Sequence, residues 1–152
     1  MSKKVQEVQG DLLSHPAEYL CHQCNCVTTN ASGLAKAVFK KFPCADIYSD
    51  RVEPDEPGKI IVCGDGKTER YIVNLLAQYY PGKAKYANDS PEKRLKWFSD
   101  CLSKLESLDG KSYAFPNRIG CGLAGGDWEK YRQKLNEFAG RVKGDVFIVK
   151  VS

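Results

Sequence analysis

The chain has 152 residues, a usual length for one domain that buries its own hydrophobic core. Its hydrophobic fraction of 42% and charged fraction of 28% are ordinary for a globular protein and exclude a disordered chain. The net charge of +4 permits an anionic partner but does not by itself indicate one. We therefore expect a single domain over residues 1–152, and a monomer.

The seven cysteines are an odd number, so they cannot all pair in intrachain disulfides. Several of them (Cys21, Cys24, Cys63 and Cys101) lie in apolar runs, which favours reduced and buried thiols. The first nine residues contain no apolar segment typical of a signal peptide, and no run reaches membrane-spanning length. These features predict a reducing compartment, cytoplasmic or nuclear, and no association with a membrane.

The chain begins with two predicted strands, over residues 5–9 and 19–24. A helix is predicted over residues 34–42, where apolar side chains recur every four positions. Pro43 should break this helix, and residues 45–52 are expected to continue it as a short helical segment.

The middle of the chain predicts a hairpin, a loop and a long helix. The β-rich runs over residues 59–63 and 70–76 are joined by the turn-like GDGKTE, which indicates the hairpin. A polar and aromatic loop follows over residues 77–89. Ser90 and Pro91 are typical of the first positions of a helix, which should run to about Leu108.

The last part of the chain predicts a strand over residues 112–115, a helix over 128–139 that Asp127 can cap, and a final strand over 145–151. Strands that alternate with helices predict a three-layer α/β domain with a mixed sheet.

Two loops have the position at which such folds bind ligands, because each leaves the carboxyl end of a strand and enters a helix. Residues 26–33 read CVTTNASG, and residues 116–127 contain RIGCGLAGG. Backbone N–H groups in such loops can converge on a phosphate, and glycine permits close approach and positive φ. Each loop alone could equally be a capped helix start, but two side by side favour a pyrophosphate ligand.

Two further motifs lack the context that their chemistry requires. GDGKT at residues 64–68 is not a phosphate-binding P-loop, because the first glycine of that motif would fall at Ile61 and the segment joins two strands. CHQCNC at residues 21–26 is not followed by a second Cys/His pair at zinc-finger spacing. We therefore predict no metal and no other cofactor.

Polar side chains beside the two loops are the catalytic candidates. His22 is either a general acid/base or phosphate-binding group at the mouth of the site, or a hydrogen-bonded structural histidine. Asp127 should cap the last helix, yet its carboxylate could also face a ligand in the adjoining glycine loop.

An aromatic and basic cluster lies in the loop over residues 77–89. Tyr79, Tyr80 and Tyr86, with Lys83 and Lys85, could stack a base or bind single-stranded nucleic acid. The same residues could form an exposed loop without a partner.

Four sequence segments together resemble the pattern of a known protein family. GDLL after the first strand, HQCN at the end of the second, ASGLAKAVFKKFP, and IGCGLAGGDWE follow one another in the order of the macrodomain family and span nearly the whole chain. The sequence resembles most the small stand-alone macrodomains, which include ADP-ribose 1''-phosphate phosphatases and the terminal ADP-ribose protein glycohydrolase. This resemblance implies a three-layer α/β/α macrodomain with a central mixed sheet and an ADP-ribose cleft at one sheet edge.

The resemblance also implies roles for individual residues. Asp11 matches the acid that binds the adenine amino group, Asn25 an asparagine beside the distal ribose, and His22 a histidine implicated in phosphatase-type members. Gln78 lies near the place of a lysine that the glycohydrolase branch uses, and Ala124 occupies the place of its catalytic acid. The rest of the implied ADP-ribose site is Leu12, Ala31, Ser32, Gly33, Leu34, Gly120, Cys121, Gly122, Leu123 and Gly125.

The function that the resemblance implies is a hydrolase acting at the distal ribose of ADP-ribose, either an ADP-ribose 1''-phosphate phosphatase or an ester hydrolase. His22 would protonate the leaving group or orient water, and Asp127 would activate water. The missing lysine and acid favour a competing interpretation, a non-catalytic module that binds ADP-ribose or ADP-ribosylated protein. A third interpretation is binding of poly(ADP-ribose) or RNA through the aromatic and basic cluster.

Overall fold

The computed structural model describes residues 3–151, so the outermost residues of the predicted 1–152 domain lie outside the described part. Within residues 3–151, six strands form one sheet and three α-helices flank it. The strands are β1 (Gln6–Gln9), β2 (Tyr19–Cys24), β3 (Ile60–Cys63), β4 (Tyr71–Leu76), β5 (Ser112–Pro116) and β6 (Asp145–Lys150). The helices are α1 (Gly33–Lys41), α2 (Pro91–Glu106) and α3 (Trp128–Arg141).

The strand order is β1-β6-β5-β2-β4-β3. β3 pairs with β4 antiparallel, through the predicted hairpin, and all other neighbours are parallel. The predicted mixed sheet is therefore confirmed. Because β2, β4 and β5 run the same way, the loops that follow them meet at one edge of the sheet.

Each face of the sheet buries its own core, as the three-layer α/β/α prediction requires. On one face, α2 and α3 pack with side chains such as Phe98, Leu135 and Phe138. On the other face, α1 packs with side chains such as Val38 and Phe39. Successive residues of β2 alternate between these cores, because side chains along a strand point to opposite faces.

The predicted helical continuation over residues 45–52 is wrong. One turn of 3-10 helix, Pro43–Ala45, follows α1, and the chain then turns irregularly. Asp46 Oδ1 accepts hydrogen bonds from the backbone N–H groups of Tyr48 (2.9 Å) and Ser49 (3.1 Å). In a continuing helix, these N–H groups would donate to backbone carbonyl oxygens. Because they donate to the Asp46 carboxylate instead, the side chain favours a turn over a helix.

The helix starts of α2 and α3 are capped as predicted. Ser90 Oγ accepts a hydrogen bond from the N–H of Lys93 at 3.1 Å, and Asp127 Oδ1 accepts one from the N–H of Glu129 at 3.1 Å. Among residues 3–151, no helix combines the length and apolar character needed to cross a bilayer.

Candidate functional site

A cleft of about 350 Å³ opens at the sheet edge where β2, β4 and β5 end. The predicted loops form its two walls, and the start of α1 lies in one of them. Nine of the predicted ligand-binding residues line this cleft: Asn25, Ser32, Gly33, Leu34, Gln78, Gly120, Gly122, Leu123 and Ala124.

Other lining residues were not among the predicted ones. They are Gln23, Asn30, Ala35, Tyr48, Pro81, Gly82, Pro116, Asn117, Arg118 and Ile119. Five of them lie within the predicted loops over residues 26–33 and 116–127 but were not named as ligand-binding: Asn30, Pro116, Asn117, Arg118 and Ile119. No sequence pattern predicted Tyr48 at the cleft, because it reaches the cleft through the turn that Asp46 forms in place of the predicted helix.

Seven predicted site residues do not line this cleft: Asp11, Leu12, His22, Ala31, Cys121, Gly125 and Asp127. Asp11 is exposed at the end of β1, and its Oδ1 accepts a hydrogen bond from the N–H of Leu13 at 3.0 Å. Leu12 and Cys121 belong to the two cores. Gly125 and Asp127 line a second cavity on the far side of the glycine loop. The roles predicted for these seven residues remain predictions.

His22 is buried, with 1% of its surface exposed, on the α1 face of the sheet. Its Nε2 lies 2.6 Å from Asn74 Oδ1, and its ring meets the edge of Phe39. Asn74 donates its Nδ2 to the carbonyl oxygen of Ile61, so its Oδ1 faces His22 and accepts the Nε2–H. Burial lowers the pKa of His22 to about 4, against the opposing effect of the Asn74 hydrogen bond. The imidazole is therefore neutral at physiological pH, and its proton is engaged inside the core.

Asn25 stabilises the loop over residues 26–33 through hydrogen bonds. Its Oδ1 accepts hydrogen bonds from the N–H groups of Val27 (3.1 Å) and Thr28 (2.9 Å). Its own N–H donates to the hydroxyl oxygen of Tyr48 at 2.9 Å, and Arg51 donates to its carbonyl oxygen at 3.1 Å. Because Oδ1 is engaged by the loop, the group that Asn25 can offer a ligand is its Nδ2 donor.

A pair of glutamines lies on the floor of the cleft. Gln23 donates its Nε2 to Gln78 Oε1 at 2.7 Å, and Gln78 donates its Nε2 to the carbonyl oxygen of Tyr80 at 2.9 Å. Gln23 Oε1 is buried without a hydrogen-bond partner among the described residues. His22 and Gln23 are neighbours in β2, so their side chains point to opposite faces of the sheet: His22 points into the core and Gln23 toward the cleft.

The glycine positions allow the two walls to approach each other. Gly33 has φ of 58°, and a Cβ added to it would lie 3.1 Å from Leu123 Cδ1 on the opposite wall. Gly120 has φ of 76°, and a Cβ there would lie 2.6 Å from the ring of Tyr131. Both positions favour glycine because of their positive φ, and Gly120 also needs it for space, since the ring of Tyr131 is buried.

The start of α1 differs from the other two helix starts. Ser32 occupies the N-cap position of α1 and makes no side-chain cap hydrogen bond among the described residues, whereas Ser90 and Asp127 do cap α2 and α3. The first N–H groups of a helix have no intrahelical acceptor. Those of α1 therefore remain as donors at the cleft wall.

The cleft is nearly free of side-chain charge. Of the residues in 3–151 that line it, Arg118 is the one with a full charge, and no carboxylate, lysine or histidine is among them. No cluster of three or more possible metal ligands occurs in the same described range. The arrangement is suited to binding an anion through backbone donors more than through side-chain charge.

The fold brings most of the aromatic and basic cluster together. The rings of Tyr80 and Tyr86 lie 4.7 Å apart, and the Lys85 ammonium is 5.8 Å from the Tyr86 ring centre. Lys83 instead lines the second cavity. The rings of Tyr79 and Tyr80 also lie 4.8 Å apart, so the three tyrosines and Lys85 form one group, and its binding of nucleic acid remains a prediction.

Comparison with known proteins identifies the class. Residues 21–135 match the family model described as Macro domain. The chain belongs to the macro domain family, and the fold implied by the resemblance is confirmed.

Individual relatives are distant. An uncharacterized 17.5 kDa protein of Enterobacteria phage T4, from the tk-vs intergenic region, is 24% identical over 153 residues, which cover 91% of this chain and 92% of the relative. The macrodomain of Thermus aquaticus DarG has a TM-score of 0.74 at 24% identity and covers 96% of this chain and 97% of its own. Thermosipho africanus DarTG in complex with ADP-ribose has a TM-score of 0.69 at 17% identity and covers 99% of this chain and 43% of its own.

Proposed function

We propose that the cleft binds ADP-ribose or the ADP-ribosyl group of a derivative. The observation that carries this proposal is the uncapped start of α1, which faces the glycine loop across the cleft. Two sets of backbone N–H groups on opposite walls suit the two phosphates of a diphosphate ligand. The structural likeness to DarTG, which was solved with ADP-ribose, supports the same ligand.

Asn25 provides the sharpest test of this proposal. Asn25→Asp keeps the Oδ1 acceptor that holds the amides of Val27 and Thr28, but it replaces the Nδ2 donor with a negative charge. We expect the fold to persist and the affinity for ADP-ribose to fall by about tenfold or more, because a hydrogen bond is lost and the ligand is anionic. Isothermal titration calorimetry measures the affinity.

Asn88→Asp is the matched control, since it makes the same charge change at an exposed position outside the cleft. Its affinity for ADP-ribose should stay within about twofold of the wild type. If wild-type protein does not bind ADP-ribose, the proposed ligand is wrong. If both variants bind it as well as the wild type, the ligand does not use Asn25 and the proposed site is wrong.

Hydrolysis at the distal ribose is a second candidate function. The buried amide floor of Gln23 and Gln78 favours it, because the unpartnered Gln23 Oε1 could accept a hydrogen bond from a ribose hydroxyl or from water. His22 would act as the proton donor only if its Nε2–H left Asn74, and Asp127 would act only if its carboxylate reached around the glycine loop. The non-catalytic module needs neither movement.

One assay separates the two functions. ADP-ribose 1''-phosphate, O-acetyl-ADP-ribose and glutamate-linked ADP-ribosyl protein are offered to the wild type and to His22→Ala and Asp127→Ala. We expect binding of ADP-ribose without turnover. Turnover by the wild type would establish a hydrolase, and its loss in either variant would assign a role to that residue.

A further inference from the structure

A second cavity, with a volume of about 600 Å³, adjoins the cleft. It lies between α2 and α3, behind the glycine loop, and Ala124 lines both cavities. None of the functions considered above uses it. Its volume is within the usual range for sites that bind small molecules.

The inner surface of this second cavity is mainly apolar. Leu95, Ala84 and the ring of Tyr131 contribute to its lining. Arg94 lies beneath, with 2% of its surface exposed, and its guanidinium forms a buried ion pair with Asp89 at 2.7 Å. The same guanidinium donates to the carbonyl oxygens of Gly82 and Ala124, so it holds the two loops that border the cavity.

Four lysines surround this apolar surface: Lys83, Lys96, Lys130 and Lys134. The stem of Lys83 crosses the backbone of Gly125, where an added Cβ would lie 3.1 Å from Lys83 Cγ. Lys130 and Lys134 are one helical turn apart on α3, so their side chains lie on the same face.

The lysines outnumber the carboxylates of the same cavity, which are Glu92 and Asp127. Lys96 is paired with Asp100 at 3.1 Å, and Asp127 caps α3. The ion pairs found within residues 3–151 involve none of the other three lysines. Positive charge therefore remains free to act on a ligand.

We propose that this second cavity is a separate binding site for a nucleoside phosphate, either a free nucleotide or a unit of a single strand. An inorganic anion would leave most of the cavity empty, and a purely apolar ligand would not use the lysines. A nucleoside phosphate satisfies both features, because its base can pack on the partly exposed Leu95 and Ala84 while its phosphate meets the ammonium groups. The proposal rests on this cavity alone and does not require ADP-ribose in the cleft.

Cytidine 5'-monophosphate and a short single-stranded oligodeoxycytidylate are the probes, since neither contains the adenine expected to suit the cleft. Each is titrated into the full chain by calorimetry, with and without saturating ADP-ribose. Amide chemical-shift changes locate the site. We expect binding in both conditions, with shifts at Leu95, Lys130 and Lys134 and not at Gly33.

Charge reversal tests the lysines. Lys130→Glu and Lys134→Glu should each weaken probe binding by about tenfold. Lys67→Glu is the control, because Lys67 lies in the β3–β4 turn at the opposite end of the sheet. The affinity of this variant for the probe should stay within about twofold of the wild type. Binding of the oligonucleotide but not of the mononucleotide would support the proposal with a strand as the ligand.

Three results would overturn the proposal: neither probe binds, the lysine variants bind like the wild type, or ADP-ribose displaces the probe with shifts confined to the cleft. Failure of the ADP-ribose proposal remains distinct. In that case the wild type would not bind ADP-ribose, yet the probe would still bind and depend on Lys130 and Lys134.

Discussion

The cleft and the second cavity lie on opposite sides of one glycine loop, yet they are built from different chemistry. The cleft has an uncapped helix start and one charged side chain, Arg118. The second cavity has two capped helix starts and four lysines. Backbone donors recognise a phosphate by its position, whereas flexible lysines attract it by charge, so the two regions should respond differently to mutation and to salt.

Removing the space between the cleft walls should have the largest effect. Gly33→Val adds a branched side chain where a single Cβ would already lie 3.1 Å from Leu123 Cδ1, at a backbone φ of 58°. We expect the affinity for ADP-ribose to fall roughly 10- to 100-fold, because the ligand loses backbone donors on that wall. Probe binding in the second cavity should be retained, which calorimetry on the same sample can measure.

The control for this variant separates backbone strain from a blocked cleft. Gly58→Val also places a side chain at positive φ, 85°, but outside both cavities. Its loss of stability should be of the same order, with ADP-ribose affinity close to that of the wild type. Equal losses of affinity in both variants would show that strain, and not the cleft wall, explains the result.

The pH dependence of stability tests whether His22 is a core residue that serves neither cavity. Its folded pKa of about 4 lies below the value of 6.5 expected when unfolded, so the unfolded chain binds the extra proton first as the pH falls. Stability is therefore fully present above pH 6.5 and decreases below it. Between about pH 7 and pH 5, the loss from this group should be about 2 kcal/mol.

Chemical denaturation at the two pH values measures that loss, and His22→Gln should reduce it. His15 has a pKa lowered by partial burial and by Arg70, so it contributes in the same direction, and His15→Gln is the matched comparison. If His22→Gln left the pH dependence unchanged, His22 would not be held neutral in the core, and its role as an acid would need to be reconsidered.

The salt dependence of binding should differ between the two regions by a smaller factor. Between about 50 and 200 mM salt, the affinity of the second cavity for the oligodeoxycytidylate should fall about tenfold, as expected when lysines contact two or three phosphates of a single strand. ADP-ribose affinity in the cleft should fall by no more than about threefold, because backbone donors carry most of that binding. Equal salt dependence of both ligands would contradict the division between backbone and side-chain recognition.

Tyr48→Phe should have the smallest effect. The substitution removes the hydroxyl oxygen that accepts the hydrogen bond from the N–H of Asn25 at 2.9 Å. Stability should decrease by about 1 kcal/mol, with a similar or smaller loss of ADP-ribose affinity. An unchanged thermal midpoint and affinity would show that Asn25 is held by Arg51 and the loop amides alone.

Much of the fold was accessible from the sequence, because its determinants are local. Apolar spacing predicted all three α-helices, and Ser90 and Asp127 marked the capped starts of α2 and α3. The positions of the two loops placed the cleft at one sheet edge. The one wrong element, residues 45–52, failed for a local reason too. Asp46 binds nearby amides and turns the chain, which apolar spacing alone does not show.

The sequence by itself determined the family resemblance and the loops that meet at the sheet edge, because glycines, caps and periodicity act through neighbouring residues. Only the tertiary structure decided which side chains face the cleft. The pleat of β2 turns His22 into the core and Gln23 toward the cleft, and the turn at Asp46 brings Tyr48 beside Asn25. The second cavity joins Lys83 to Lys130 and Lys134, which are distant in sequence, so its charge exists only once α2 and α3 pack behind the glycine loop.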